Sequence, residues 1–384
     1  MPESPTDLQP WPTDPVGGRR TRVALLGSGF IADVHLTVLA AIRGVEVVAL
    51  CDPARSRAER LAKKHRVPHA FADLDEMLAA VQVDAVHLLV PPALHGDLAA
   101  RCLAKGLHVL VEKPLVLASA QVSALAEAAR GQRRVLAVNH NQTFHPALAR
   151  LRRHLERGRL GRLEHVELMH HVPLRQLATG DVSHFMFQTE ANIVWEQGVH
   201  LFSMVESLLG PCLQVDAVTG RRTGLPNGVS FVTEWHLSLQ CERGTAGVRM
   251  AFGKPWQETT VQAIGSDGAA LLDLTRGSCW LRRKTRWLEF LDHGINLAAG
   301  ARHLLARSCG AVFGYCLSLF GLVFPDDPFL RGMRGAIGAF HAAVRGQQLA
   351  ASLQPSAAFA VLAMCERTAA AAGVDTAPPP APPP

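Results

Sequence analysis

Gly27-Ser28-Gly29-Phe30-Ile31-Ala32 closes the apolar run VALLG (23–27) and opens a segment of helical period. No other stretch restricts the fold so tightly. In a GxGxxA turn the first glycine makes the sharp reversal and the second lets a ligand approach the main chain. Small Ala32 then lets helix and strand pack closely. The helix start offers unpaired N–H groups and partial positive charge, which suit phosphates. Asp52 ends the next apolar run, VEVVALCD (45–52), 20 residues beyond Ala32. A carboxylate there accepts hydrogen bonds from adenosine ribose hydroxyls and repels a 2′-phosphate. The pattern therefore favours NAD over NADP, a bias that Arg55 and Arg57 soften. The plainer alternative is a glycine turn in an ordinary α/β domain, with Asp52 a strand-end residue.

Further runs follow at VDAVHLLV (83–90), HVLVEK (108–113) and RVLAVNH (134–140), separated by helical-period segments. Continuous apolar strands alternating with helices imply a parallel sheet covered on both faces. Beyond a helix at about 146–158, ended by Gly158 and Gly161, strands come in succession: 165–174, 213–218, 228–241, 244–252 and 259–265. Ser266-Asp267-Gly268 marks a hairpin leading into AALLDL. Such neighbours imply an antiparallel sheet, and helices at about 329–346 and 355–372 close an α+β half. The expected division is a disordered segment over 1–20, a parallel-sheet domain over 21–142, an α+β domain over 143–375 with an inserted helical segment at about 282–327, and a disordered Pro-rich tail over 376–384.

With 384 residues, 48% of them hydrophobic, the chain can bury a sizeable core, which excludes a wholly disordered or fibrous protein. Lys+Arg 39 against Asp+Glu 33 leaves +6, a mild excess for this length, and there is a single Tyr. Neither suits a dedicated nucleic-acid binder. The eight cysteines form no CxxC and mostly lie in apolar runs, and residues 1–20 contain no apolar leader, so a reduced, cytoplasmic setting is expected.

Two more strand ends carry chemistry. HVLV runs into Glu112-Lys113-Pro114, and Pro91-Pro92-Ala93-Leu94-His95 follows the strand before it. Ligands in such sheets bind beyond the carboxyl ends of strands. GxGxxA, Asp52, PPALH and EKP, in this order, resemble the Gfo/Idh/MocA oxidoreductases, over most of 22–275 and again at 329–372. The resemblance implies a Rossmann domain followed by an open, mostly antiparallel sheet that carries the substrate site and often an oligomer interface. It implies a cofactor site drawn from Gly27, Gly29, Phe30, Ile31, Asp52, Pro91, His95, Glu112, Lys113 and Asn141, with Lys113 touching both nicotinamide ribose and substrate. The family's D-x-x-x-H element, which supplies a catalytic histidine, matches Glu196-Gln197-Gly198-Val199-His200, with glutamate in place of aspartate. The family's glycine run before this element is absent, and Thr143 stands where an arginine is common.

The expected activity is NAD(P)-dependent hydride transfer between the cofactor and a secondary alcohol or ketone of a sugar, cyclitol or sugar-derived intermediate. Histidine titrates near neutrality, so His200 is the better base, with Lys113 on the reacting oxygen and Glu196 orienting the imidazole or a substrate hydroxyl. Two alternatives stand beside this: redox-neutral, NAD-dependent glycoside cleavage, and a non-catalytic dinucleotide-sensing regulator. No recognised spacing links His170, His171, His184 and Glu196, so no metal is expected. Arginines 150, 152, 153, 157, 159 and 162 read as the wet face of a linker helix. Around 282–327, Arg282, Arg283, Lys284 and Arg286 precede Trp287 and the 14-residue apolar run 311–324, about 21 Å as a helix and too short to span a bilayer. That segment reads as a helix against the sheet or a sister subunit in a homo-oligomer, a lid over an apolar substrate, or a peripheral membrane contact through about 300–324.

Overall fold

The computed structural model describes residues 18–284, 288–320 and 327–375. They form two compact units, one from residues up to Asn141 together with Met333–Ala363, the other from Gln142–Gly332 together with the residues from Met364 onward.

In the first unit β1 (Thr21–Leu26), α1 (Phe30–Leu39), β2 (Val45–Cys51), α2 (Arg55–His65), β3 (His69–Phe71), α3 (Leu74–Ala80), β4 (Ala85–Leu88), α4 (His95–Ala104), β5 (His108–Val111), α5 (Val122–Gly131) and β6 (Leu136–Val138) alternate. The strands pair in parallel in the order β3-β2-β1-β4-β5-β6. This is the doubly wound Rossmann order, with its reversal between β1 and β4. Every residue of β4 and β5 is buried, as expected of strands covered on both faces. The short β3 was not among the expected runs, since three residues show no periodicity.

In the second unit α6 (Pro146–Glu156) precedes β7 (Leu163–Val172), α7 (Arg175–Thr179), a π-helical turn over Val194–Gly198 and α8 (Val199–Leu209). There follow β8 (Cys212–Thr219), β9 (Arg222–Gly224), β10 (Ser230–Val232), β11 (Glu234–Cys241), β12 (Gly244–Phe252), β13 (Glu258–Gly265), β14 (Gly268–Asp273), β15 (Ser278–Arg283) and α9 (Glu289–Leu319). Beyond them come α10 (Pro328–Val344) and α11 (Pro355–Ala372), both of which contribute residues of Met333–Ala363 to the first unit. Seven strands form an open sheet ordered β15-β14-β13-β7-β12-β11-β8. Its pairs are antiparallel apart from β7 with β12, so the α+β expectation holds. Alternation along β11 buries Trp235, Leu237, Leu239 and Cys241 on one face, and the apolar α8 packs against β7 and β12.

Three local expectations are corrected. The run 228–241 is two strands, because the N–H and hydroxyl of Thr233 both turn to the Arg221 carbonyl and interrupt the ladder. Arg150 and Arg152 are half-buried and do not form a wet face. Arg150 donates to the Gly277 carbonyl, and Arg152 donates to the Thr143 carbonyl and the Ser207 hydroxyl. The apolar run 311–324 belongs, as far as Leu319, to a single 31-residue helix, while Arg286, Trp287 and residues 321–326 lie outside the described residues.

Candidate functional site

The glycine turn sits at the topological switch point. Gly27 has φ +99°, and a Cβ added to it would lie 2.4 Å from the Leu89 carbonyl oxygen beyond β4, so only glycine fits. Gly29 is different. A Cβ there would meet nothing within 4 Å, and no side chain caps the α1 N-terminus that follows. The Ser28 hydroxyl beside it is buried without a hydrogen-bond partner. Open main chain, an uncapped helix start and an orphaned hydroxyl together fit the pyrophosphate of a dinucleotide. Phe30 is 82% exposed at the first helical position, and Ile31 is half-buried.

Asp52 is buried just past β2 and fixes this turn. One carboxylate oxygen accepts from the Ser28 N–H at 2.8 Å and the other from the Ala54 N–H at 2.9 Å. Each oxygen keeps a second lone pair for a ribose hydroxyl. Nearby Arg55 is ion-paired with Glu59 at 3.0 Å.

Pro91 is exposed beyond β4. His95, at the start of α4, is buried, with Nδ1 2.7 Å from the Pro114 carbonyl and Nε2 2.9 Å from the Val90 carbonyl. Both ring nitrogens thus face main chain, and the ring ties the end of β4 to the segment after Lys113. Burial lowers its pKa. The Lys113–Pro114 peptide is cis, and Lys113 itself is half-buried. Asn141 is buried at the head of a short 3₁₀ turn (Asn141–Phe144).

Glu112 points into a buried network that the motifs did not announce. Its Oε1 accepts from His35 Nε2 at 2.8 Å and from the Asn139 amide. His35 Nδ1 lies 2.8 Å from His87 Nδ1, and His87 Nε2 lies 3.2 Å from His341 Nε2. His35 donates its Nε2–H to the carboxylate, and each of the two imidazole–imidazole contacts is bridged by a single proton. His341 Nδ1, at the far end, is buried without a partner. Burial drives His87 well below its ordinary value and His341 down to about 3. Burial raises the Glu112 carboxyl, but the His35 and Asn139 hydrogen bonds and the Lys113 charge outweigh it, leaving a carboxylate.

In the second unit Glu196 lies within the π-helical turn and His200 in the first turn of α8, both half-buried. The element is helical through both residues, but widened at Val194–Gly198. Turns of this kind are rare and recur at functional sites. His170 on β7 holds it: Nδ1 accepts from the Thr259 hydroxyl at 2.9 Å, and Nε2–H donates to Gln197 Oε1 at 3.2 Å. Burial takes His170 down to about 4, so the ring is neutral. His184 caps the Met186 N–H. Among the described residues no group of three or more His, Cys, Asp or Glu side chains converges as for a metal.

Residues 21–140 match the NAD-binding Rossmann fold of an oxidoreductase family, and residues 148–271 match the GFO/IDH/MocA C-terminal domain. Among curated proteins the chain is 28% identical over 211 residues to a 4-carboxy-2-hydroxymuconate-6-semialdehyde dehydrogenase of Sphingobium, covering 52% of this chain and 62% of that protein. It is 35% identical over 136 residues to scyllo-inositol 2-dehydrogenase (NADP(+)) IolU of Bacillus subtilis, covering 35% and 42% respectively. The chain thus spans less than two thirds of the length of these relatives. A solved oxidoreductase from Agrobacterium radiobacter, in complex with NAD+, L-tartaric acid and magnesium, superposes with a TM-score of 0.73 at 14% identity, over 92% of this chain and 96% of that one. That likeness concerns the fold. Its two halves matched in order by one family's two domains, the chain belongs to the Gfo/Idh/MocA oxidoreductase family.

Proposed function

We propose that the protein is an NAD-dependent dehydrogenase acting on a secondary alcohol of a sugar, cyclitol or sugar-derived small molecule. The observation that carries this reading is the turn at Gly27–Gly29, with its open main chain, orphaned Ser28 hydroxyl and uncapped helix start. A cyclitol dehydrogenase among its relatives supports the substrate class. Asp52, carrying a carboxylate where a 2′-phosphate would lie, and Arg55, engaged by Glu59, support NAD over NADP. Gly27, Gly29, Phe30, Ile31, Pro91 and Asn141 complete the assigned cofactor side. Glu112 and His95 act from behind, holding the segment that presents Lys113.

A bound nicotinamide supplies a hydride acceptor, so the alcohol loses hydride from carbon and a proton from oxygen and becomes a ketone. His200 takes the hydroxyl proton, Lys113 hydrogen-bonds the reacting oxygen, and Glu196 orients the imidazole or holds a neighbouring hydroxyl. Positioned proton transfer contributes roughly 10²–10⁴-fold. A cytoplasmic setting and a homo-oligomer are part of the proposal, the oligomer supported by the large side chains Leu213 and Val218 exposed on edge strand β8.

Titrating the full chain with NAD+ and NADP+ by calorimetry, then assaying NADH formation against sugars and cyclitols, tests the reading. His200→Ala is expected to lower kcat by roughly 10²–10⁴-fold while leaving the NAD+ Kd unchanged. Absence of dinucleotide binding, or unchanged turnover in both His200→Ala and Lys113→Ala, overturns it.

A further inference from the structure

Helix α9 is oriented inside out. Asp292, Asn296 and His303 share one side, at i, i+4 and i+11. That side meets the sheet edge: Asn296 exchanges two hydrogen bonds with the Arg283 main chain, at 2.9 and 3.1 Å, and His303 lies with its ring centroid 6.5 Å from that of Trp280. Asp292 is buried. The opposite side carries Phe290, Leu297, Leu304, Val312, Tyr315 and Leu319, between 49% and 76% exposed. A surface helix of a water-soluble domain normally does the reverse, turning its apolar stripe inward.

Two further features decide what covers this side. Leu291, Ile295 and Phe313, also exposed, widen the apolar arc to roughly half the helix circumference at 3.6 residues per turn. A pair of helices needs only a narrow seam, whereas a planar apolar phase wets half a cylinder. The charge is one-sided as well. From His293 to Leu319 there is no Asp or Glu, while exposed Arg302 is present, and Arg282, Arg283 and Lys284 are exposed where β15 leads toward the helix. A two-fold contact of this helix with its own copy brings the same residues together and offers those arginines almost no carboxylates. Leu304–Leu319 is 16 residues, about 24 Å, short of the ~30 Å hydrocarbon core, and no helix among the described residues is long and apolar enough to cross a membrane.

We propose that α9 docks the protein onto an anionic lipid surface, its apolar side lying in the interface and the Arg282–Lys284 cluster meeting headgroups. This does not depend on the proposed dehydrogenase activity. It adds a place of action, where lipid-borne or strongly apolar substrates are concentrated.

Co-sedimentation of the full chain with phosphatidylcholine vesicles containing 30% phosphatidylglycerol, and with phosphatidylcholine alone, tests it. The protein is expected to pellet with the anionic vesicles and to remain largely in the supernatant with the neutral ones. Replacing the exposed Leu304, Phe313 and Leu319 by Ser is expected to lower the partition coefficient at least tenfold with the melting temperature unchanged. Charge reversal of Arg282, Arg283 and Lys284 to Glu is expected to abolish the response to phosphatidylglycerol. Equal supernatant recovery of the wild type with both vesicles overturns the proposal. So does a triple-Ser variant that binds vesicles normally, or one whose only change in light scattering is a smaller oligomer.

Discussion

The Rossmann unit couples three of its histidines, beside singly braced rings such as His95, whereas His170 and His184 of the sheet unit each stand on their own brace. In the Rossmann unit three imidazoles and Glu112 form one continuous hydrogen-bonded chain. In the sheet unit His170 is braced singly, by Thr259 and Gln197, and His184 by one main-chain amide. A coupled buried network is all or nothing, because removing one member strands the others without partners in a medium that solvates them poorly. An isolated brace fails alone. On the proposed function, the first arrangement suits a scaffold that presents Lys113 in one geometry.

The sharpest way to break this contrast is Glu112→Ala against His170→Phe. Loss of Glu112 strands two buried donors, on His35 and Asn139, at about 1–3 kcal/mol each, so about 2–6 kcal/mol is expected in denaturant unfolding. Loss of His170 is expected to cost about 1–3 kcal/mol. Equal losses would show that the imidazole chain is not coupled.

Next in size is the pair of turn glycines. Gly27→Ala forces a side chain into the Leu89 carbonyl at positive φ and is expected to destabilise by about 3 kcal/mol. Gly29→Ala meets open space, so its melting temperature should match the wild type while dinucleotide affinity falls about tenfold or more. A Gly29→Ala variant that binds normally would remove the pyrophosphate from that turn.

The smallest expected effect is acid-side. Burial raises the Asp84 carboxyl, but hydrogen bonds from Arg19 and Arg22 outweigh it and hold the group at about 2, against an ordinary 3.8. A depressed carboxyl stabilises the fold above pH 3.8 and loses that contribution as pH falls through about 2. Asp84→Asn is therefore expected to cost about 1 kcal/mol at neutral pH, discounted because Arg19 is half exposed, and to flatten the acid limb of unfolding between pH 4 and 2.

What was readable from sequence follows the range of the forces. The turn at Gly27 was legible because a positive φ and a close backbone approach admit one residue type at a fixed distance from a strand. The parallel sheet was legible because burial on both faces writes unbroken apolar runs such as HVLV. The histidine chain was not. His35 and His87 occupy ordinary periodic positions in a helix and a strand, and His341 lies 254 residues beyond His87. The only local hint was a polar ring inside the apolar run VDAVHLLV. Nor was the widened turn before His200, since VWEQGVH satisfies an α-helical pattern equally well and the brace comes from β7. Arg150 and Arg152 misled because their partners are carbonyls, to which composition is blind.

Asp52 leaves a constraint on descent. The carboxylate proposed to meet the ribose also clasps the amides of Ser28 and Ala54. On the proposed NAD preference, a lineage drifting toward the phosphorylated coenzyme cannot simply discard it, for the loop would slacken before any new preference took hold. Compensating donors or acceptors must arise first, so the route between the two coenzymes runs through an ordered series of changes.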